Sequence, residues 1–214
     1  MDLKSVYSKV FGWMFIGLLL TFLTGYTIAN NLNMLLFLFE GNKWIIFAIL
    51  EIVLVIALSA GLHKMSPGVA KFCFALYSIV SGFTFSSIFL VYEIGSIIYV
   101  FGITSVIFGV FALIGHYTNV DLSRFGTYLF MGLLGIIICS IINMFIGSEG
   151  FDMTICVIGL IIFLGYTAYD IQKVKQLVGS IPEENLAIYG ALQLYLDFIN
   201  IFLKLLRFFG KDRD

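Results

Sequence analysis

Residues 187–209 read AIYGALQLYLDFINIFLKLLRFF, a run long and apolar enough to cross a bilayer that nevertheless carries Asp197 near its middle. On an α-helix, its polar side chains fall within a stripe roughly 80° wide. These side chains are Gln193, Asp197, Asn200, Lys204 and Arg207. An ionisable group at the centre of a bilayer costs at least about 2.5–3.5 kcal/mol, so lipid would not tolerate this stripe. The stripe must face protein or water, which suits a helix in the middle of a bundle.

The composition of the whole chain is typical of a membrane protein. Of its 214 residues, 61% are hydrophobic and only 12% are charged, and the mean hydropathy is +1.06. A soluble domain of this length carries about twice that share of charge. The net charge of −1 gives no reason to expect a nucleic-acid partner. We therefore expect an integral membrane protein in contact with the lipid bilayer; the sequence leaves its oligomeric state open, a monomer included.

Stretches without Asp, Glu, Lys or Arg mark most of seven candidate membrane spans. Each is about 19–23 residues long, which at about 1.5 Å per residue matches the hydrocarbon core. The spans lie near residues 10–29, 44–63, 71–91, 97–115, 125–146, 153–172 and 187–209. Continuous apolar runs predict helices, whereas a β-barrel would show alternation. We expect an all-α integral membrane protein, with residues 1–214 forming a single domain whose central last helix is surrounded by the other six.

The distribution of basic residues predicts the orientation in the membrane. With a cytoplasmic N-terminus, the opposite side holds only Lys43 before the last span. The cytoplasmic side then holds Lys4, Lys9, Lys64, Lys71, Arg124, Lys173 and Lys175. Seven spans place Lys211 and Arg213 on the outer side, against this rule. We expect the last helix to cross the membrane completely, and a re-entrant last segment is the alternative.

Three carboxyl groups lie within predicted spans, those of Glu51, Asp170 and Asp197. Asp170 is predicted about 10 Å to the cytoplasmic side of the midplane, and Asp197 about 15 Å in from that same side, so the two are at similar depth. Helices six and seven are consecutive and antiparallel, hence expected neighbours. Two facing carboxyl groups in low dielectric cannot both ionise easily, so the pair is expected to share a proton. Without that proton, the pair would suit a hard cation such as Ca²⁺.

Purely structural roles are open alternatives for both aspartates. Asp197 could pair through Asn200 with Lys204, two turns further along its own helix. Asp170 could pair with Lys173 and reach the cytoplasmic face. Either pairing would make the acid a buried structural group instead of a sensor.

Other polar residues are candidates for supporting roles. His63 and Lys64, at the cytoplasmic end of the second span, could reach Asp170 as counter-ions, although residues at span ends are more often simple loop residues. Glu51 could line a pore or only bond to neighbouring helices. The candidates for pore-lining or supporting roles are Glu51, Gln193, Asn200, Lys204, Arg207 and Tyr166.

The sequences YDIQ at residues 169–172 and LYLDFINIF at residues 194–202 closely resemble the sixth and seventh helices of the Bax inhibitor-1 family, also called the transmembrane Bax-inhibitor-motif proteins. Glu51 and the sequence TSVIFG at residues 104–109 also look like family positions. The resemblance covers the whole chain in span number and length, and it is most specific at the C-terminal end.

This resemblance implies seven helices with the last one wrapped by the other six, and a pH-sensitive calcium leak across the membrane. It also implies that an aspartate pair in helices six and seven is the pH sensor, and the matching residues are Asp170 and Asp197. These two residues would be the ones that contact Ca²⁺.

The chain also departs from the family pattern. Ser86 and Ser87 stand where a Gly-Pro is usual, and the sequence LHK at residues 62–64 occupies the region where some members carry a latching arginine. The long soluble tails of some eukaryotic members are absent, which suits a bacterial cytoplasmic membrane protein.

Together with the aspartate pair, the resemblance therefore implies a pH-sensitive Ca²⁺ leak gated by Asp170 and Asp197, with Ca²⁺ and protons as partners and no cofactor. The alternatives are a proton-coupled transporter and a stress-regulatory membrane scaffold. We expect no enzymatic activity, because the Gly-x-Gly-Asp and Pro-Ala-Leu motifs of intramembrane aspartyl proteases are absent. A metal hydrolase would need clustered His and acidic residues, whereas the only two His are His63 and His116.

Overall fold

A computed structural model describes residues 2–62 and 64–213, and of Asn42 it describes the backbone alone. The chain is 87% helical, with no strands among these residues. The α-helices are α1 (Leu3–Ala29), α2 (Leu32–Phe39), α3 (Lys43–Gly61), α4 (Pro67–Phe85), α5 (Ile88–Val91), α6 (Ile94–Tyr117), α7 (Gly126–Ile146), α8 (Glu149–Gln176) and α9 (Glu183–Phe209). Short 3₁₀ helices cover Glu40–Asn42 and Leu122–Phe125.

Seven helical segments of the described chain are long and apolar enough to cross a membrane, which confirms the predicted fold class. They are Leu3–Ala29, Lys43–Gly61, Pro67–Val91, Ile94–Tyr117, Leu122–Ile146, Glu149–Gln176 and Glu183–Phe209. Most extend beyond the predicted bounds, because polar residues at the ends stabilise additional turns. Glu149 and Asp152 occupy the first turn of α8, for example, where acidic side chains interact favourably with the helix dipole.

The predictions missed two local features. Residues 32–39 form the short helix α2, which begins where the Asn31 side chain accepts a hydrogen bond from the Met34 amide. The third span is divided into α4 and α5 at Ser86 and Ser87. Their hydroxyl groups donate to the carbonyls of Phe83 and Thr84 at 2.7 and 2.9 Å, and such bonds compete with the regular helical pattern.

The described residues pack as two compact units, and the first contains residues 2–62, 64–94, 177–195 and 211–213. Within it, α1 and α4 approach closely through small residues. A Cβ atom on Gly82 of α4 would clash with the Thr24 side chain of α1, so only glycine permits this approach. The sequence predicted one domain, and whether the two units behave as one stays a prediction.

The second unit contains residues 95–176 and 196–210. In it, Phe198 of α9 packs against Phe101 and Phe108 of α6, with ring centroids 5.0 and 5.5 Å apart. Gly115 of α6 lies against the backbone of Ala168 in α8. These contacts bring α6, α8 and the second half of α9 together.

Helix α9 is the most enclosed of the seven spans. Within the most apolar 18-residue stretch of α9, 72% of the residues are buried, whereas the corresponding stretches of the other six spans are 6–44% buried. Its first turn approaches the start of α4, where Lys71 pairs with Glu184 at 2.6 Å. The tail that follows it pairs with the residues after α5, through a bond of 2.8 Å from the Arg213 amide to the Val91 carbonyl. The first turn of α9 and the tail that follows the helix therefore contact opposite ends of the third span. The complete crossing of the membrane by α9 stays a prediction.

Candidate functional site

The two predicted aspartates both lie in the second unit, one on α8 and one on α9. Asp170 is in the last two turns of α8, and Asp197 is near the middle of α9. Each residue is only 4% exposed.

The Asp170 and Asp197 carboxyl groups lie within hydrogen-bonding reach of each other. An ionised carboxylate can only accept hydrogen bonds, so a bond between two carboxyl groups requires a proton on one of them. The Oδ2 atom of Asp197 is buried without a hydrogen-bond partner among the described residues. The geometry thus provides a place for one shared proton and leaves one carboxyl oxygen available.

Tyrosine side chains and one lysine surround the aspartate pair on α8. Tyr166, one turn before Asp170, is close enough for the charges of both aspartates to act on its hydroxyl group. The Tyr169 ring lies beside that of Tyr166, with centroids 6.3 Å apart, and the Lys173 ammonium group lies 5.5 Å from the centre of the Tyr169 ring. Lys173 also acts on Asp170 through its charge. The alternative in which Asp170 pairs with Lys173 stays open.

The alternative in which Asp197 pairs with Lys204 through Asn200 is not formed in the structure. The Asn200 side-chain amide instead donates to the Leu196 carbonyl at 2.8 Å. The Lys204 side chain runs across Gly159 of α8, where a Cβ atom would come within 2.9 Å of Lys204 Cε.

Within the second unit, the polar stripe of α9 becomes more accessible along the helix. Asp197 is buried, Asn200 and Lys204 are half-buried, and Arg207 is exposed. The opposite face is buried and consists of Phe198, Ile201, Phe202, Leu205 and Leu206. A half-accessible polar line therefore runs from the level of the aspartates to the end of the helix.

Arg207 lies at the C-terminal end of the polar stripe, in the last turn of α9, and forms an ion pair there. Its guanidinium group forms an ion pair with Asp152, in the first turn of α8. Arg207 is ten residues from Asp197, which corresponds to about 15 Å along a helix. It therefore belongs to the end of the stripe and not to the surroundings of the aspartates.

The remaining predicted residues belong to the first unit. Glu51 is half-buried on α3 and accepts hydrogen bonds from Ser81 and Thr84 of α4. Gln193 is half-buried on α9, and Lys64 is exposed. His63 lies outside the described residues. The proposed counter-ion role of His63 and Lys64 stays a prediction.

The hydroxyl partners of Glu51 were not predicted from the sequence. Ser81 and Thr84 are three residues apart, so they share one face of α4. This spacing could have indicated a pair of hydrogen-bond donors facing a neighbouring helix. Such small polar residues, however, also occur wherever helices pack in a membrane.

Gln172, the last residue of the YDIQ sequence, was also missed. Its side-chain carbonyl accepts from the Leu122 amide at 2.7 Å, and its amide donates to the Val120 carbonyl at 2.9 Å. Gln172, two residues after Asp170, thereby holds the loop between α6 and α7 in place.

In this loop, hydrogen bonds from the Ser123 backbone amide and hydroxyl hold the pKa of Asp121 below its usual value.

No group of three or more His, Cys, Asp or Glu residues suited to a metal ion occurs among residues 2–62 and 64–213. Two carboxyl groups alone do not complete a resident Ca²⁺ site, which needs 6–8 oxygen ligands. Backbone carbonyls and water would have to supply the others. This arrangement suits a transient ion better than a tightly bound one.

Comparison with known proteins gives full-length similarities. A family model described as "Inhibitor of apoptosis-promoting Bax1" matches residues 3–214. The chain is 43% identical over 218 residues to the inner membrane protein YbhL of Escherichia coli K12, covering 99% of this chain and 93% of YbhL. It is 40% identical to an uncharacterized protein of Borreliella burgdorferi, covering 97% of this chain and 92% of the relative. A Rickettsia prowazekii protein is 35% identical, with 99% and 92% coverage.

Proposed function

The chain belongs to the Bax inhibitor family of membrane proteins, and on this basis we propose that it is a pH-gated leak pathway for Ca²⁺ across the membrane. Protonation of the Asp170–Asp197 pair controls the pathway. The membrane is a bacterial cytoplasmic membrane, with the N-terminus on the cytoplasmic side. The family is not a known enzyme family, and we propose no catalytic reaction.

One observation carries this proposal: two buried carboxyl groups face each other on α8 and α9, within hydrogen-bonding reach of each other. Lys173 acts on Asp170 through its charge, but one cation cannot neutralise two carboxylates that face each other. A shared proton removes one of the two negative charges and with it their repulsion.

The shared proton works as a removable link between α8 and α9. With the proton present, a hydrogen bond joins Asp170 to Asp197. When the proton leaves, two negative charges face each other in a medium of low dielectric and repel. A change from mostly closed to mostly open needs about 5.5 kcal/mol of differential proton binding, which corresponds to about four pKa units.

The same pair supplies the oxygen ligands that attract Ca²⁺. Hard cations prefer carboxylate and carbonyl oxygens, and the buried Oδ2 of Asp197 has no partner in the described chain. The half-buried stripe that continues through Asn200 and Lys204 supports a hydrated route from this level towards the end of α9.

Calcium flux into liposomes loaded with a calcium-sensitive dye tests the proposal. Wild-type protein is expected to show flux that changes between about pH 6 and about pH 8, the range in which a coupled carboxyl pair can titrate. Asp170→Asn and Asp197→Asn should each abolish this pH response. Asp121→Asn, a change in a loop outside the spans, is the matched control and should retain it.

Two results would contradict the proposal. If both Asn variants keep the wild-type flux and pH response, the aspartates are not the sensor. If the flux saturates at low Ca²⁺ concentration and shows counterflow, the protein is a carrier and not a leak pathway.

A further inference from the structure

Helix α2, in the first unit, is short and apolar, and most of its side chains are exposed. An eight-residue helix is about 12 Å long, so α2 cannot cross a hydrocarbon core of about 30 Å. Every side chain of the helix except that of Asn33 is apolar. The exposed apolar side chains are Leu32, Met34, Leu36, Phe37 and Phe39. Water is an unfavourable environment for so much apolar surface on one short helix.

The position of α2 in the chain confines it to one boundary of the membrane. The span before it ends at Ala29, and the span after it begins at Lys43. Asn30 and Asn31 join α2 to the first of these spans, and the 3₁₀ turn Glu40–Asn42 joins it to the second. Because both connections are short, α2 lies near the level at which the two spans leave the bilayer.

The backbone of α2 is suited to an apolar environment. The Asn31 side chain accepts a hydrogen bond from the Met34 amide at 3.2 Å, and the Glu40 amide donates to the Leu36 carbonyl. A helix pairs most of its backbone polar groups internally, which is the condition that lipid imposes on a chain. Helix α2 can therefore lie against acyl chains at little cost to its backbone.

The exposed surface extends around most of the helix. At 100° per residue, the buried Leu38 and the half-buried Leu35 lie about 60° apart, on one side of α2. The exposed side chains lie along the remaining arc of about 220°. A second folded protein covers one face of a helix, whereas fluid acyl chains can cover a surface that curves around it. This arc therefore favours lipid over a second copy of the chain.

Lys43 indicates the depth of the second half of α2. Its ammonium group lies 4.3 Å from the centre of the Phe37 ring and 3.9 Å from the carboxylate of Glu40, whose side chain is 80% exposed. Charged groups near the ends of spans stay at the level of the lipid headgroups. Phe37, which contacts the ammonium group, is therefore expected just below the headgroups and not at the centre of the bilayer.

We propose that α2 is an interfacial helix that binds the lipid bilayer on the side where α1 ends and α3 begins. Its exposed apolar side chains lie among phospholipid acyl chains just below the headgroups. This lipid contact does not depend on the calcium leak or on the aspartate pair.

A single tryptophan measures the depth of α2 in liposomes. Leu36→Trp is introduced into the full-length protein together with Trp13→Phe and Trp44→Phe, which replace the two native tryptophans. Its fluorescence is measured with phospholipids brominated near the headgroup end or near the methyl end of the acyl chains, and with iodide in the water. Bromine near the headgroup end is expected to quench several-fold more strongly than either of the other quenchers.

Control positions in the same tryptophan-free background calibrate the depth. Val106→Trp replaces an exposed side chain near the middle of α6, so bromine near the methyl end should quench it most. Val120→Trp replaces an exposed side chain in the loop between α6 and α7, so iodide should quench it most. Leu32→Trp repeats the measurement at the other end of α2 and should agree with Leu36→Trp.

Three outcomes of the quenching experiment would overturn the proposal. Strong quenching of Leu36→Trp by iodide would place α2 in water. Protection from iodide and from both brominated lipids would show that protein, such as a second copy of the chain, covers the helix. Quenching mainly by bromine near the methyl end, as at position 106, would place α2 near the centre of the bilayer.

Photolabelling tests the lipid contact on the wild-type protein. The liposomes contain a phospholipid that carries a diazirine near the headgroup end of one acyl chain. Mass spectrometry is expected to find the label on residues 32–39, and several-fold less of it on residues 118–121 of the loop between α6 and α7. Labelled spans without label on residues 32–39 would overturn the proposal.

Discussion

Gly115 of α6 lies directly against the backbone of Ala168 in α8, two residues before Asp170. A Cβ atom at position 115 would meet the Ala168 carbonyl oxygen, Cα and carbonyl carbon, with no flexible side chain available to move aside. The spacing between these helices therefore depends on a residue without a side chain, and through α8 it affects the position of Asp170.

We predict that Gly115→Ala destabilises the protein by about 1–3 kcal/mol, the usual cost of overpacking a well-packed contact. It should lower the thermal unfolding midpoint in detergent. Gly109→Ala is the matched control on the same helix, because a Cβ atom there has no neighbour within 4 Å. The control should be neutral or slightly stabilising, since alanine favours a helix more than glycine does. Equal losses in the two variants would contradict the close contact.

The seven spans could be predicted because charged residues are rare within them, and the bilayer imposes one length on all of them. The exact ends of the helices could not be predicted, because they depend on local interactions such as those of the acidic residues in the first turns of α8 and α9. Helix α2 was missed because residues 32–39 are too few to span a bilayer, and apolar content alone does not separate a short helix from a loop.

The approach of Asp170 to Asp197 followed from their depths on consecutive antiparallel helices. The partners of Glu51 could not be derived in this way, because they depend on how far α4 is rotated towards α3. Ser81 and Thr84 face Glu51, whereas Ser87, on the same span, is exposed. Rotation about a helix axis is set by packing, and the apolar composition of a span does not reveal it.

Gln172 is predicted to stabilise the loop between α6 and α7. Gln172→Ala removes one hydrogen bond to the Leu122 amide and one to the Val120 carbonyl. At about 0.5–1.5 kcal/mol for each bond, the expected loss is about 1–3 kcal/mol. Hydrogen exchange should show faster exchange at the Leu122 amide. Gln176→Ala, which removes bonds only to the exposed Ser123 side chain, should leave that amide protected.

The start of α9 is predicted to be held by a salt-sensitive charge network. Glu184 pairs with both Lys9 of α1 and Lys71 of α4, and Lys9 also pairs with Glu183. These side chains are partly exposed, so their attraction is screened by salt. Glu184→Gln should lower the unfolding midpoint at low ionic strength, and this difference should shrink at high ionic strength. Glu149→Gln, in the first turn of α8, is the control; a deficit of the same size at every salt concentration would argue against an electrostatic role.

The aspartate pair is predicted to act as one unit, so its substitutions should not be additive. In Asp170→Asn the remaining carboxyl group no longer shares its proton with a second acid, and the same holds for Asp197→Asn. Each single variant should therefore lose the pH response of calcium flux as fully as the double variant. A double-mutant cycle on unfolding stability should give a coupling of about 0.5–3 kcal/mol, the range for residues in direct contact. Strict additivity in both measurements would mean that the two carboxyl groups titrate independently, and the shared proton would then be excluded as the gate.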